Sequence, residues 1–93
     1  MKPLKELLKQ EQSVIVDVRS QWEYEEEHIE GAQNIPLEEL MYKVEELKSL
    51  HRPVVLYCQS GNRSYMALTL LRQYGLTDVY NGGGIGDMQT LVK

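Results

Sequence analysis

Two short apolar runs constrain this chain more than anything else in it. Ser13-Val14-Ile15-Val16-Asp17-Val18 and Val54-Val55-Leu56-Tyr57-Cys58 are both rich in β-branched or bulky residues, and neither alternates with polar ones. A strand with one wet face alternates; a strand without alternation is covered on both faces, as in a parallel sheet. The segments between have helical spacing. Pro3 to Gln10 reads as a short helix with Leu4, Leu7 and Leu8 on one face. Ser20 is placed to cap a helix over 21–27, with Glu23 at the third position of a capping box. Ala32 to Ile35 is a brief extended piece between Gly31 and Pro36. Leu37, Leu40, Met41, Val44 and Leu47 predict an amphipathic helix over 37–50.

Arg63 to Tyr74 predicts another helix, with Met66, Ala67, Leu70 and Leu71 inward and Gly75 just past its end. Asp78 to Tyr80 is a short strand, Gly82-Gly83-Gly84 a sharp turn, and Ile85 to Val92 a last helical turn or two. Strands alternating with helices at these lengths give an α/β fold: a small, mostly parallel sheet of about four strands with helices on both faces. Residues 1–93 form a single domain of this kind.

Composition narrows the function. The chain has 42% hydrophobic and 26% charged residues, a globular rather than a disordered balance. Its one cysteine excludes an internal disulfide and a cysteine-rich zinc site. No apolar run approaches the ~20 residues of a membrane span. No signal-peptide core is visible, so a cytoplasmic location and no membrane contact are expected. A net charge of −4 without a basic stripe argues against nucleic acid. Glu23, Glu25, Glu26, Glu27 and Glu30 read first as a solvated helix face, and second as a docking surface for a basic partner.

Chemistry collects at one place. In open parallel sheets, sites form beyond the carboxyl ends of strands. Cys58 stands where a buried strand meets a helix N-terminus, joined through Gln59, Ser60, Gly61, Asn62, Arg63 and Ser64. Unpaired N–H groups and the positive end of a helix dipole stabilise an anion there, so a thiolate forms at lower pH. Gly61 permits a tight curl around the sulfur, Arg63 adds positive charge and Ser64 a hydroxyl. The simpler reading makes Cys58 a small buried hydrophobe. A polar, glycine-containing loop with an arginine is poor core material, which favours a reactive cysteine.

These residues carry a family resemblance over nearly the whole chain. Ile15-Val16-Asp17-Val18-Arg19 with Trp22-Glu23-Tyr24 resembles the first signature of single-domain rhodanese-like sulfurtransferases. His28-Ile29-Glu30-Gly31-Ala32 with Asn34-Ile35-Pro36 resembles the second. Tyr57-Cys58 through Ser64 resembles the active-site loop. The resemblance implies a rhodanese-like fold and a Cys58 persulfide formed from a donor such as thiosulfate and passed to a thiophilic acceptor. Residues 59–64 would then cradle the terminal sulfur. It implies no metal and no cofactor.

The donor would be a small molecule. With one cysteine, the acceptor must be an outside thiol such as thioredoxin or a low-molecular-weight thiol. Asp17, Arg19 and Glu23 are expected as supporting residues, with Asp17 and Arg19 an ion pair at a strand end. Arg63 either binds an anionic donor or pairs with Asp17 or Glu23 to hold the loop; the second role fits better, since Gln59 and Ser60 are uncharged where relatives place a base. His28 is expected to be structural, Trp22 and Tyr24 packing or rim residues, and His51 a surface residue.

Three other readings use the same loop. A non-catalytic rhodanese-like binding or regulatory module keeps the fold alone. A phosphatase of the related cysteine type needs a longer loop than the four residues between Cys58 and Arg63. A sulfenic-acid redox sensor needs the same thiolate. Two departures from the family pattern matter. Only Met1 and Lys2 precede Pro3, so the family's usual first edge strand is expected to be missing and an exposed edge to follow. Ile85-Gly86-Asp87-Met88 lacks the usual aromatic, so the last helix is expected to be loosely held.

Overall fold

The computed structural model describes residues 4–9 and 12–92. Its order is α1 (Leu4–Lys9), β1 (Val14–Asp17), α2 (Gln21–Glu26), β2 (Gln33–Asn34), a 3-10 helix (Leu37–Lys43), α3 (Val44–Ser49), β3 (Val54–Cys58), α4 (Asn62–Gln73), β4 (Val79–Gly84) and α5 (Ile85–Leu91). The expected helix ends at Pro3 and Gln10, and the question of a strand before Pro3, lie outside the described residues. Among those described, four strands form one parallel sheet in the order β2-β1-β3-β4. This is the α/β architecture that the two unalternating runs require.

Both faces of the sheet are buried, and residue parity divides them. Val14, Val16, Val18, Val54, Leu56 and Cys58 face a core built with Leu40, Val44, Leu47, Ala67 and Leu71, from the 3-10 helix, α3 and α4. Val55 and Tyr57 face the other way, onto Ile29, Ala32, Ile85 and Met88, with Leu4 and Leu8 of α1 packed against them. Every residue of β3 is buried. Its side chains still alternate between two apolar environments, because successive Cβ atoms point to opposite faces of a sheet.

The helix ends follow from local chemistry. At the end of α4 the Gly75 N–H bonds the Arg72 carbonyl at 3.1 Å and the Leu76 N–H bonds the Leu71 carbonyl at 3.0 Å. That pair of bonds needs a left-handed residue at its centre, and Gly75 supplies it at φ 93°. Leu71 and Leu76 share the core beneath the turn.

Four expectations are corrected. The single helix over 37–50 is a 3-10 helix followed by α3. The three-residue step from Leu37 to Leu40 suits three residues per turn, and it turns Met41 out to 45% exposure. On α4 the inward face is Ser64, Ala67, Leu68 and Leu71, at helical spacing, while Met66 is exposed. The glycine triplet belongs to β4 rather than to a turn after it. Finally, α5 is not loosely held: Met88 is fully buried and Ile85 nearly so. Met88 packs against Val55, Tyr57 and Ile85, a gap-filling role that its flexible thioether suits.

Candidate active site

Cys58 is the last residue of β3, and the chain curls directly over its sulfur. Gly61 takes φ 99°, ψ −10° as the N-cap of α4, a left-handed conformation that glycine adopts without steric cost. That curl aims its N–H at Sγ at 3.0 Å. One turn later the Ser64 N–H reaches Sγ at 3.4 Å, and the Ser64 hydroxyl lies at 3.4 Å. Burial pushes the thiol up. The Ser64 hydroxyl, when its proton points at the sulfur, and the N–H groups of Ser64, Gly61 and Ser60 outweigh this, leaving Cys58 below its ordinary value. Such a cradle stabilises an anion with fixed donors at a helix N-terminus.

The end of β4 closes the cradle from beside it. Cys58 pairs with Gly84, after an irregularity in the ladder between Leu56 and Cys58. A Cβ on Gly84 would lie 2.5 Å from the Gln59 carbonyl oxygen, so only glycine permits this approach. Asn81 completes the brace. Its Oδ1 accepts the Ser64 hydroxyl at 2.7 Å and the Gly83 N–H at 2.9 Å, and its Nδ2 donates to the Gly61 carbonyl at 3.4 Å. Sequence reasoning missed both Asn81 and the role of the glycines. The available signal was a polar residue and three glycines continuing an apolar strand, a pattern that marks close backbone approach.

On the other side α2 clasps the loop through two arginines. Arg63 donates to both oxygens of Glu23, at 2.8 and 2.9 Å. The Ser20 N–H and hydroxyl bond the same carboxylate at 3.1 and 2.9 Å. Held foremost by Arg63, and despite partial burial, Glu23 is depressed to about 2. Arg19 is buried against Asp17: its Nε lies 3.0 Å from Oδ1 and its Nη2 2.8 Å from Oδ2. Its remaining donors reach the Gln59 side chain at 3.2 Å and the Glu27 carbonyl at 2.6 Å. The hydrogen bond to Asp17 raises the Arg19 guanidinium above its ordinary value, against the opposing effect of burial. Of the partners open to Arg63, the fold provides Glu23; Asp17 is committed to Arg19.

The remaining expected residues fall around this centre. Gln59, Ser60 and Asn62 are exposed on the rim. Trp22 stands 64% exposed on α2 and, with Glu26, Glu27 and Gln59, lines a shallow cleft beside the loop. Tyr24 packs inward, its hydroxyl donating to the Ala32 carbonyl at 2.6 Å, and His28 stacks on its ring. Tyr57, behind Cys58, accepts the Ile29 N–H at 3.0 Å. Burial pushes its phenol up, so it stays neutral. His51 is exposed in the turn before β3.

The Rhodanese-like domain model matches residues 1–86. The chain belongs to the rhodanese-like domain family. Thiosulfate sulfurtransferase PspE of Escherichia coli is 36% identical over 78% of the chain and 71% of its own length. An uncharacterized Bacillus subtilis protein, YqhL, is 45% identical over 72% of the chain, which spans about half (52%) of that relative. Among solved structures, an E. coli rhodanese with anions superposes with a TM-score of 0.75 at 36% identity, covering 81% of this chain and 89% of that one. The human single-domain sulfurtransferase TSTD1 gives 0.77 at 30% identity, covering 94% and 89%.

Within this rhodanese-like frame the loop directs the fixed N–H donors of Gly61 and Ser64 at a single sulfur. His28 is engaged with Tyr24: its Nδ1 lies 2.7 Å from the Tyr24 carbonyl. No helix among the described residues is long and apolar enough to cross a membrane.

Proposed function

We propose that this chain is a rhodanese-type sulfurtransferase or persulfide carrier in which Cys58 holds the sulfur. The observation that carries the reading is the pair of N–H donors from Gly61 and Ser64 on Sγ at the N-terminus of α4. The Cys58 thiolate attacks the outer sulfur of the donor. With thiosulfate, the S–S bond of the donor breaks with its electron pair leaving as sulfite, and Cys58–S–S⁻ remains. An acceptor thiolate then attacks the terminal sulfur, forms its own persulfide and returns the Cys58 thiolate. Charge and sulfur balance in both steps, and residues 59–64 stabilise the anionic sulfur throughout.

Charge around the loop favours a persulfide over dianionic thiosulfate as the better donor. Arg63 and Arg19 are each paired to a carboxylate, and the adjoining cleft carries Glu23, Glu26 and Glu27. The acceptor is an outside thiol, a low-molecular-weight one or that of a protein such as thioredoxin, since the chain has one cysteine. The test is intact-protein mass spectrometry after thiosulfate, after a small-molecule persulfide, and then after a reducing thiol. The expected result is a gain of one sulfur on Cys58, lost on reduction and absent in Cys58→Ser. No gain from either donor on fully reduced protein would overturn the reading in favour of a non-catalytic binding module.

A further inference from the structure

We propose that Asn81 of β4 is a positioning residue: it holds the Ser64 hydroxyl proton away from Cys58, so the sulfur and the Asn81 side-chain oxygen compete for that one proton. A serine hydroxyl has one hydrogen and two lone pairs. Four acceptors lie within reach of Ser64 Oγ: Asn81 Oδ1 at 2.7 Å, the Gly61 carbonyl at 3.1 Å, Cys58 Sγ at 3.4 Å and the Gly83 carbonyl at 3.5 Å. The shortest is Asn81.

The direction of that bond is fixed. Asn81 Oδ1 also accepts the Gly83 N–H at 2.9 Å, while Nδ2 faces the Gly61 carbonyl at 3.4 Å. A flipped amide would set N–H against N–H at one end and oxygen against oxygen at the other. The amide oxygen therefore faces Ser64, and the hydroxyl must donate to it. Ser64 then shows Cys58 only lone pairs. These accept a hydrogen bond from a neutral thiol and oppose a thiolate.

When Cys58 ionises, the hydroxyl turns to the sulfur and gives up Asn81, which keeps its bond from Gly83. Asn81 thus favours the thiol, against the backbone N–H groups that favour the thiolate. Other groups around the loop stay constant in this exchange. Arg63 of α4 is paired with Glu23 of α2, and Arg19 with Asp17. Asp87 of α5 accepts the Gly84 N–H at 3.0 Å. Tyr57 faces the opposite side of the sheet, and the 3-10 helix and α3 pack apolar Leu37, Leu40, Val44 and Leu47 on the sulfur's side. The inference concerns ionisation of Cys58 and stands independently of whether sulfur is transferred.

The experiment is the pH profile of Cys58 alkylation by iodoacetamide, read by mass spectrometry, in wild type, Asn81→Ala, Ser64→Ala and the double variant. Freeing one hydrogen bond to the thiolate should move the midpoint of Asn81→Ala to lower pH by about half to one pH unit. The double variant should lose that gain, because the proton is gone. An unchanged or higher midpoint in Asn81→Ala, or the same shift in the double variant, overturns the proposal. Should Asn81→Ala not fold, the wild type still decides. Its Asn81 side-chain amide NMR signals should titrate at the Cys58 midpoint, and should stay flat in Ser64→Ala; equal titration in both overturns it.

Discussion

Arg63 and Glu23, forty residues apart, meet through two parallel hydrogen bonds of 2.8 and 2.9 Å. The bond ties the first turn of α4, which carries the Cys58 cradle, to the first turn of α2. Bidentate geometry fixes direction as well as distance. It also spends two of the five guanidinium N–H donors of Arg63 on a carboxylate.

Glu23 sits near 2, well below the 4.5 of an unrestrained glutamate. A depressed carboxyl stabilises the fold above its unfolded value, and that contribution is lost as pH falls through the folded one. The loss should therefore run from about pH 4.5 down to about 2. Arg63 is 39% exposed, so screening reduces the effect to about 1 kcal/mol. Urea titrations of wild type and Glu23→Gln should differ by this amount at pH 7 and converge across that window. A difference independent of pH would contradict the assignment.

Gly84 and Gly86 should respond oppositely to alanine. A Cβ at Gly84 meets backbone oxygen at 2.5 Å, so β4 or the Cys58 loop must move. We expect a cost of about 1–3 kcal/mol, with slower Cys58 alkylation as the cradle opens. A Cβ at Gly86 meets nothing within 4 Å, and the residue lies inside α5. Gly86→Ala should stabilise by about 0.5–1 kcal/mol through the unfolded chain's entropy. Thermal melts of the two variants check both signs.

Those glycines also mark where sequence reasoning ends. The unalternating runs around Val16 and Leu56 identify a two-sided parallel sheet because burial on both faces leaves no polar stripe. The polar curl after Cys58 is legible because helix caps and glycine act within a few residues. The approach of Gly84 to Gln59 and the grip of Asn81 on Ser64 are set by how far β4 extends, a long-range matter that local pattern does not encode. The error at Met66 has a similar origin: Met66 and Leu68 are both plausible on an apolar face, and only packing against the sheet turns Leu68 inward. The 3-10 geometry over Leu37–Lys43 was hidden because both helix types satisfy a three-residue step.

Arg19 and Asp17 are 3% and 0% exposed, so their pairing replaces water for both charges. Deleting one partner leaves the other buried and uncompensated. Arg19→Ala should therefore cost about 3–5 kcal/mol, far more than loss of the surface pair Lys48–Glu45. Arg19→Lys should recover only part, since an ammonium cannot serve Asp17, Gln59 and the Glu27 carbonyl together. Denaturant midpoints order the three proteins; equal losses for Ala and Lys would deny the forked guanidinium its role.

Met88 decides whether α5 is part of the core or an appendage. It is fully buried, in the same cluster as Val55, Tyr57 and Ile85. Met88→Ala should cost about 2–5 kcal/mol by lost contacts and an unfilled cavity. The Met88 sulfur also lies where a Cβ on Gly82 would fall, at 2.5 Å. The cavity left by alanine therefore opens against β4, one residue from Asn81. We expect Met88→Ala to pair a large stability loss with faster hydrogen exchange at the Gly83 and Gly84 amides. Local exchange unchanged beyond the global loss would mean that α5 supports the sheet but not the Cys58 cradle.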